Sequence, residues 1–175
     1  MATSRAAKTP SSPHGTQAWL AVVRAYNLCD AVMTARMAEL GVRIAEHEVL
    51  ANLATAPGIT QQQLAARCFV AKSGISMLLA QMESRGWVRR EADAADARIK
   101  RLHLTADGQA LAQQTLAAQA DVVRAMVAGS SDAELDQVRD SMQRVSQRLE
   151  ALRAADALSR ASAPRSRAGR PARRG

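Results

Sequence analysis

The 175-residue chain contains no long hydrophobic run and no glycine-rich phosphate-binding loop. A membrane-spanning helix needs about 20 consecutive apolar residues, so no membrane partner is expected. Residues 1–15 lack the apolar core of a signal peptide, and a cytoplasmic location is therefore expected. No nucleophile elbow occurs either, so the common sequence signatures of hydrolases and nucleotide-dependent enzymes are missing.

Residues that bind metals or carry out catalysis are scarce as well. Two Cys and three His are spread along the chain without the spacing of metal ligands. Asp93 and Asp96 are close in sequence, but we expect them in an exposed loop with no basic partner held beside them. We therefore expect no catalytic residue, no metal, no cofactor and two reduced cysteines.

Positive charge is in excess, and it is concentrated at the two ends. The chain carries 24 Lys and Arg against 16 Asp and Glu, a net charge of +8. Residues 1–15 and 159–175 hold eight of the basic residues and no acid, so the body between them is neutral. Both ends are rich in Ala, Ser, Pro and Gly, and we expect them to be disordered.

The segment that starts at Ile59 predicts a short helix over Gln61–Cys68. The Thr60 side chain can accept from the backbone of Gln63, whose side chain can return to Thr60, which is a capping box. Ile59 and Leu64 have the spacing of a hydrophobic staple around this cap.

A second amphipathic helix is predicted over residues 71–85, with Gly86 as its stop. One stripe is apolar at helical spacing: Ile75, Leu78, Leu79 and Met82. The opposite face is small and polar in its first two turns, as a helix lying against base edges requires, and it offers four candidate DNA contacts: Lys72, Ser73, Ser76 and Met77. Alone, this helix could equally be a surface helix of an all-helical domain.

Two strand-like runs follow, Trp87-Val88 and Leu102–Leu104, around the polar loop Glu91–Ala97. Basic residues flank the loop: Arg89, Arg90, Arg98, Lys100 and Arg101. Such a run is usually a solvated face, but beside a helix-turn-helix it can place cations against phosphates or in the minor groove. The order of elements predicts a mainly α fold with a small β-wing, a winged helix-turn-helix that binds double-stranded DNA.

The same residues resemble the MarR (multiple antibiotic resistance regulator) family. The matching motifs are Ile59-Thr60-Gln61 with Leu64-Ala65, Val70–Ser73, Ile75-Ser76, Glu83–Gly86, Asp93 with Asp96–Arg98, and His103–Gly108. Two positions depart from the pattern, Ala97 and Met77, where family members commonly carry basic residues. The resemblance implies DNA contacts at Thr60, Gln61, Arg98 and Lys100 and wing aspartates that orient the loop.

Long helices are predicted on both sides of the DNA-binding lobe. The domain is expected to span residues 16–158, with the lobe at about 45–104 and dimerisation helices at about 16–40 and 105–158. The final helix, about Asp132 to Leu158, carries an apolar stripe for a second copy: Leu135, Val138, Met142, Val145 and Leu149. A homodimer would match a pseudo-palindromic operator, whereas the alternative is an intramolecular bundle.

The resemblance also implies a small-molecule effector between the long first helix and the lobe, with Tyr26, Cys29 and Met33 as candidate contacts. Some family members sense oxidants through a cysteine, whereas Cys29 and Cys68 can also be structural, packing as small apolar residues. We expect a homodimeric repressor that an effector releases. The alternatives are a low-specificity architectural DNA-binding protein and a ligand carrier or small enzyme that retains only the fold.

The C-terminal end contains Gly169-Arg170-Pro171, which resembles the centre of an AT-hook. The accessory DNA contacts expected there are Arg167, Arg170, Arg173 and Arg174. The alternative is a basic tail without a role in binding.

Overall fold

The computed structural model describes residues 13–68 and 72–162, and of residues 72, 73, 161 and 162 it describes the backbone alone. Within these ranges lie six helices and a three-stranded sheet. The helices are α1 (Pro13–Glu39), α2 (Ile44–Thr55), α3 (Gln61–Arg67), α4 (Lys72–Ser84), α5 (Ala106–Met126) and α6 (Asp132–Ser162). The strands are β1 (Ile59–Thr60), β2 (Val88–Ala92) and β3 (Lys100–Leu104). The predicted mainly α winged helix-turn-helix is confirmed.

The chain divides into two compact units between Met126 and Val127. The first unit has a single hydrophobic core, to which the end of α1, the helices α2 to α5 and the sheet all contribute. Its fully buried side chains include Met37, Val49, Leu50, Leu53, Leu64, Leu79, Met82 and Leu102. This core fixes the positions of α3, α4 and the wing relative to one another.

The sheet is larger than the sequence indicated. Its strand order is β1-β3-β2, with Ile59 paired to Leu102 and Thr60 to Arg101. The two-residue β1 was not predicted, since it is too short to show an alternating pattern. Glu91 and Ala92, which were assigned to the loop, belong to β2 and pair with β3.

The outer helices extend further than predicted. α1 begins at Pro13 rather than near Gln17, because proline suits the first turn of a helix, where its missing N–H is not needed. α6 continues to Ser162 rather than ending at Leu158, since no helix-breaking residue precedes Pro164. Part of each predicted disordered end is therefore helical, and residues 1–12 and 163–175 lie outside the described residues.

The second unit consists mainly of α6. Gly129, at φ +84°, supplies the left-handed conformation that ends the preceding helix. The predicted capping box begins α6: the Ser131 N–H donates to Glu134 Oε2 at 2.8 Å, and the Glu134 N–H donates to Ser131 Oγ at 3.4 Å. Both backbone groups are thereby satisfied at the start of a 31-residue helix.

Candidate nucleic-acid interface

The cap of α3 has the predicted geometry. The Thr60 N–H donates to Gln63 Oε1 at 2.8 Å, and the Gln63 N–H donates to Thr60 Oγ1 at 3.2 Å. Ile59 and Leu64 are both buried beneath this cap. Thr60 and Gln61, two of the expected DNA contacts, are half-buried at the start of α3. Thr60 also pairs with Arg101 of β3, so the cap adjoins the wing strand.

The buried and outer faces of α4 are those expected from the sequence. Ile75, Leu78, Leu79 and Met82 are all buried. Ser76, Met77 and Ala80 are exposed, and Met77 is 67% exposed. Lys72 and Ser73 lie in the first turn, where only the backbone is described. The described outer face is therefore uncharged and accessible, and its side chains are small apart from Met77.

The wing loop is organised by Asp93. Its Oδ1 accepts the N–H of Ala95 at 2.8 Å and the N–H of Asp96 at 3.2 Å, and its Oδ2 pairs with Arg101 Nε. These interactions, the Ala95 hydrogen bond foremost, hold the pKa of Asp93 below its ordinary value. Arg101 Nη1 also donates to the Gly58 carbonyl at 2.9 Å, which ties the wing to the turn before β1. Asp93 thus orients the loop.

The wing arginines have acidic partners, contrary to the expectation that the aspartates lack basic neighbours. Arg98, which is 91% exposed, pairs with Asp96 through Nε–Oδ1 at 3.0 Å and Nη2–Oδ2 at 3.1 Å. That pair lowers the pKa of Asp96. Arg89 pairs with Glu91, and Arg90 Nη1 lies 3.3 Å from Glu83 Oε2. Exposed salt bridges of this kind contribute less than about 1 kcal/mol to stability. The arginines can therefore leave these carboxylates and bind DNA phosphates instead.

Lys100 differs from these arginines. It is exposed at the start of β3, opposite Ala92. Among the described residues, none forms a salt bridge with Lys100. Its ammonium group is therefore the wing cation most directly available to an anion.

The C-terminal end of α4 is held by a network that the sequence did not reveal. The buried Glu46 carboxylate accepts from the Arg43 N–H at 2.8 Å and from Arg85 Nη1 at 3.3 Å. Arg85 also donates to the Gly41 carbonyl at 3.2 Å and lies 3.6 Å from the centre of the Trp87 ring. Arg85 lies one residue beyond the end of α4, which was predicted to include it, and its guanidinium contacts these groups.

The pKa of Glu46 reflects its position in this network. Burial alone raises the pKa of the carboxyl. The side-chain and backbone hydrogen bonds from Arg43, together with the charge of Arg85, outweigh burial and leave the pKa below its ordinary value. Glu46 is therefore an ionised group inside the lobe. The one available sequence signal was its position three residues after Arg43, where a capping-box acid stands.

The segment that has this geometry is similar to known proteins. Residues 40–99, from the turn before α2 through the wing loop, match the model of the MarR family. Over this segment the chain is similar to the MarR family. The resemblance predicted from the helix-turn-helix and wing residues is confirmed over this segment, and the fold is shared with solved MarR-family structures.

Curated relatives match over part of their length. The chain is 42% identical to the transcriptional regulator HosA of Escherichia coli over 64 residues, which is 37% of this chain and 47% of HosA. It therefore spans about half the length of that relative. An uncharacterized HTH-type transcriptional regulator of Bacillus cereus is 28% identical over 105 residues, covering 60% of this chain and 69% of the relative.

Solved MarR structures share the fold. AbsC, a MarR family transcriptional regulator from Streptomyces coelicolor, superposes with a TM-score of 0.75 at 20% identity, covering 82% of this chain and 99% of AbsC. CouR from Rhodococcus jostii, bound to p-coumaroyl-CoA, gives a TM-score of 0.67 at 24% identity, covering 77% of this chain and 95% of CouR.

Described residues of the first unit line two cavities. One, of about 440 Å³, contains all three predicted effector contacts, Tyr26, Cys29 and Met33, and is also lined by residues of α2, α3 and α5. The other, of about 470 Å³, lies between α1 and α5. Cys29, which is half-buried, lines both cavities.

The first of these cavities contains a buried polar pair that sequence reasoning missed. His47 is 5% exposed, and its Nε2 lies 3.0 Å from Gln119 Oε1. Burial lowers the pKa of His47, although the Gln119 hydrogen bond acts in the opposite direction. His47 Nδ1 has no hydrogen-bond partner among the described residues. The pair joins residues 72 positions apart, so no local pattern could have indicated it.

Cys68 has the structural role that the sequence favoured. It is buried at the end of α3, and burial raises the pKa of its thiol to about 11. A thiol with such a pKa stays protonated at neutral pH and is a poor nucleophile.

The expected dimerisation stripe is exposed on α6. Val138, Val145 and Leu149 are 60%, 41% and 55% exposed, and Met142 is 36% exposed. Leu135 is half-buried. The tail arginines Arg167, Arg170, Arg173 and Arg174 lie outside the described residues. In the described part of the chain, no helix is long and apolar enough to cross a membrane, and no cluster of metal-ligating side chains occurs.

Proposed function

We propose that the chain is a homodimeric transcriptional repressor that binds a pseudo-palindromic operator in double-stranded DNA. The observation that carries this proposal is the outer face of α4, where Ser76 and Met77 are exposed above a fully packed apolar stripe. A helix of this kind fits the major groove and meets base edges with its first turns. Lys72 and Ser73 form the first turn of α4, and Thr60 and Gln61 lie at the start of α3. Together with Arg98 and Lys100 on the wing, they would supply further base, phosphate or minor-groove contacts.

Binding measured against salt concentration tests this function. DNA fragments that the protein enriches from its own genome are compared with scrambled duplexes of the same composition. Specific repressors typically bind their site about 10³- to 10⁷-fold more tightly than unrelated DNA. A clear preference supports the operator model, equal binding with a steep salt dependence supports an architectural protein, and no binding supports a protein that retains only the fold.

Dimerisation through α6 is part of the proposal. The stripe Leu135, Val138, Met142, Val145 and Leu149 exposes more apolar side chain than a solitary helix normally leaves in water. A second copy would cover these side chains and place two copies of α4 about one turn of DNA apart. Tail arginines would add phosphate contacts outside the two half-sites.

We also propose that a small molecule occupies the cavity formed by Tyr26, Cys29 and Met33 and releases the DNA. Its volume of about 440 Å³ suits a ligand of modest size, and its walls come from α1, α2, α3 and α5, so an occupant contacts the lobe and a long helix together. CouR, which shares the fold, was crystallised with p-coumaroyl-CoA.

Two cavity-filling variants test the location of the effector site. Ala51 lines only the cavity that contains Tyr26 and Met33, whereas Ala125 lines only the one between α1 and α5. A thermal-shift screen with aromatic acids and CoA thioesters, p-coumaroyl-CoA included, is run on the wild type, Ala51→Phe and Ala125→Phe. Loss of the shift in Ala51→Phe alone supports the proposed site, and loss in Ala125→Phe alone assigns the ligand to the other cavity.

A further inference from the structure

Among its described side chains, the outer face of α4 carries one large apolar group and no charge. Met77 is 67% exposed, and its exposed neighbours along the face are Ser76 and Ala80. From Gly74 to Met82 the sequence contains no charged residue. Ionic contacts to guanine or to phosphate therefore cannot come from this stretch of the helix.

The other side chains near Met77 have limited reach. Ser76 ends one atom beyond Cβ, and Ala80 is a bare methyl group. Gln81, the one long polar side chain on this stretch, accepts from Arg43 Nη2 at 2.6 Å and is thereby turned toward the start of α2. Between Gly74 and Met82, Met77 is then the outer-face side chain with the greatest reach toward base edges.

The major groove offers one apolar group to such a side chain. Each thymine carries a C5-methyl group at the groove floor, and cytosine carries one only when it is methylated. A thioether side chain is flexible and polarizable, so it adapts to an apolar contact of this kind.

We propose that Met77 is a specificity-determining residue that packs against the C5-methyl group of a pyrimidine in each half-site. This inference rests on the proposed DNA-binding function and names the chemical group that α4 reads. Burying one methyl group changes affinity by about fourfold, and two symmetric half-sites change it by about fifteenfold.

The test removes or adds methyl groups on the DNA without changing its sequence. A fragment that the protein enriches from its own genome is amplified with dTTP, with dUTP in place of dTTP, or with 5-methyl-dCTP in place of dCTP. Each product is titrated with the wild type, Met77→Ala and Met77→Leu. The leucine variant keeps an apolar side chain of similar volume, so it controls for packing against the methyl group.

The proposal expects the wild type and Met77→Leu to lose about four- to fifteenfold in affinity for the uracil fragment, with Met77→Ala unaffected by the exchange. A gain on the 5-methylcytosine fragment that Met77→Ala lacks, with no loss on uracil, assigns the contact to methylated cytosine. Equal discrimination by the wild type and Met77→Ala overturns the proposal while leaving the repressor function standing. Failure of the wild type to bind the enriched fragment more tightly than a scrambled duplex removes that function itself and this inference with it.

Discussion

Arg85 Nη1 lies 3.3 Å from the carboxylate of Glu46, a side chain that is 1% exposed, and the pair joins the end of α4 to α2. The same guanidinium reaches the carbonyl of Gly41 in the turn after α1. Trp87, on which Arg85 stacks, is the residue that precedes β2. One buried carboxylate therefore fixes the exit of α4 relative to the helices that support it.

Removing this charge tests its contribution to stability. Glu46→Gln leaves two arginines without their acid and weakens a buried hydrogen-bond network, so we expect a loss of about 1–3 kcal/mol in the free energy of unfolding at pH 7. The folded-state pKa of Glu46 is lowered from its ordinary value of 4.5, so its stabilisation is present above that value and is lost as the pH falls through the lower folded pKa. Urea denaturation at pH 7 and pH 3 measures the difference.

The matched control is Glu39→Gln, which removes an exposed carboxylate paired with Arg36 at 3.2 Å. We expect less than about 1 kcal/mol from this exposed pair. Equal losses in the two variants, or a Glu46→Gln loss that does not shrink at low pH, would contradict the account of the network.

Gly108 is required by a close approach between α5 and the start of the wing. A Cβ atom at this position would lie 1.9 Å from the carbonyl oxygen of Trp87, which also accepts the Thr105 N–H at 3.1 Å. In an open helix Gly→Ala is stabilising by about 1 kcal/mol, but here we expect Gly108→Ala to be destabilising by about 1–3 kcal/mol. Gly41→Ala is the comparison in thermal denaturation. The φ of +68° at Gly41 makes this substitution strained, but an added Cβ atom would meet nothing within 4 Å. A stabilised Gly108→Ala protein would disprove the requirement.

The α6 stripe is tested by the double variant Val145→Glu, Leu149→Glu. Two carboxylates on an apolar dimer face would be desolvated and repel their symmetric copies, so we expect a monomer with lost operator binding. Gln143→Glu with Gln147→Glu adds the same charge at the same spacing on α6 and is expected to remain dimeric. Sedimentation velocity distinguishes the two, and a monomeric wild type at micromolar concentration would count against the symmetric operator.

The role of the C-terminal arginines is tested by truncation after Ser162, which keeps α6 whole and removes Arg165, Arg167, Arg170, Arg173 and Arg174. Each phosphate contact contributes about −0.9 to the slope of log K against log salt, so we expect the slope to flatten by about 2–4. Affinity for operator and scrambled DNA is expected to fall alike. A full-length variant with these arginines changed to glutamine separates charge from length, and an unchanged slope would exclude the tail from binding.

Local patterns were sufficient to predict most of the fold. The capping boxes at Thr60 and Ser131 and the stripe around Leu79 act over three or four residues, so the sequence displays them directly. Contacts between residues that are distant in sequence produce no local pattern, so they could not be predicted. Arg101 reaches back 43 residues to Gly58, and β1 exists only because β3 pairs with it.

The same distinction between local patterns and long-range contacts applies to the candidate site. The outward positions of Ser76 and Met77 follow from helical periodicity, whereas the partners of the wing arginines depend on how β2 and β3 pair. His47 and Gln119 meet only because α2 packs on α5.

The most direct test of the central claim is operator binding by Ser76→Glu. Ser76 is exposed on the outer face of α4, so a carboxylate there leaves the core intact but faces phosphates and base acceptors if that face enters the major groove. Gln147→Glu adds the same charge on α6 as a control. We predict that Ser76→Glu unfolds at the wild-type temperature yet loses specific binding by at least about 100-fold, while the control binds normally. Undiminished operator affinity in Ser76→Glu would contradict the assignment of α4 as the DNA-reading helix.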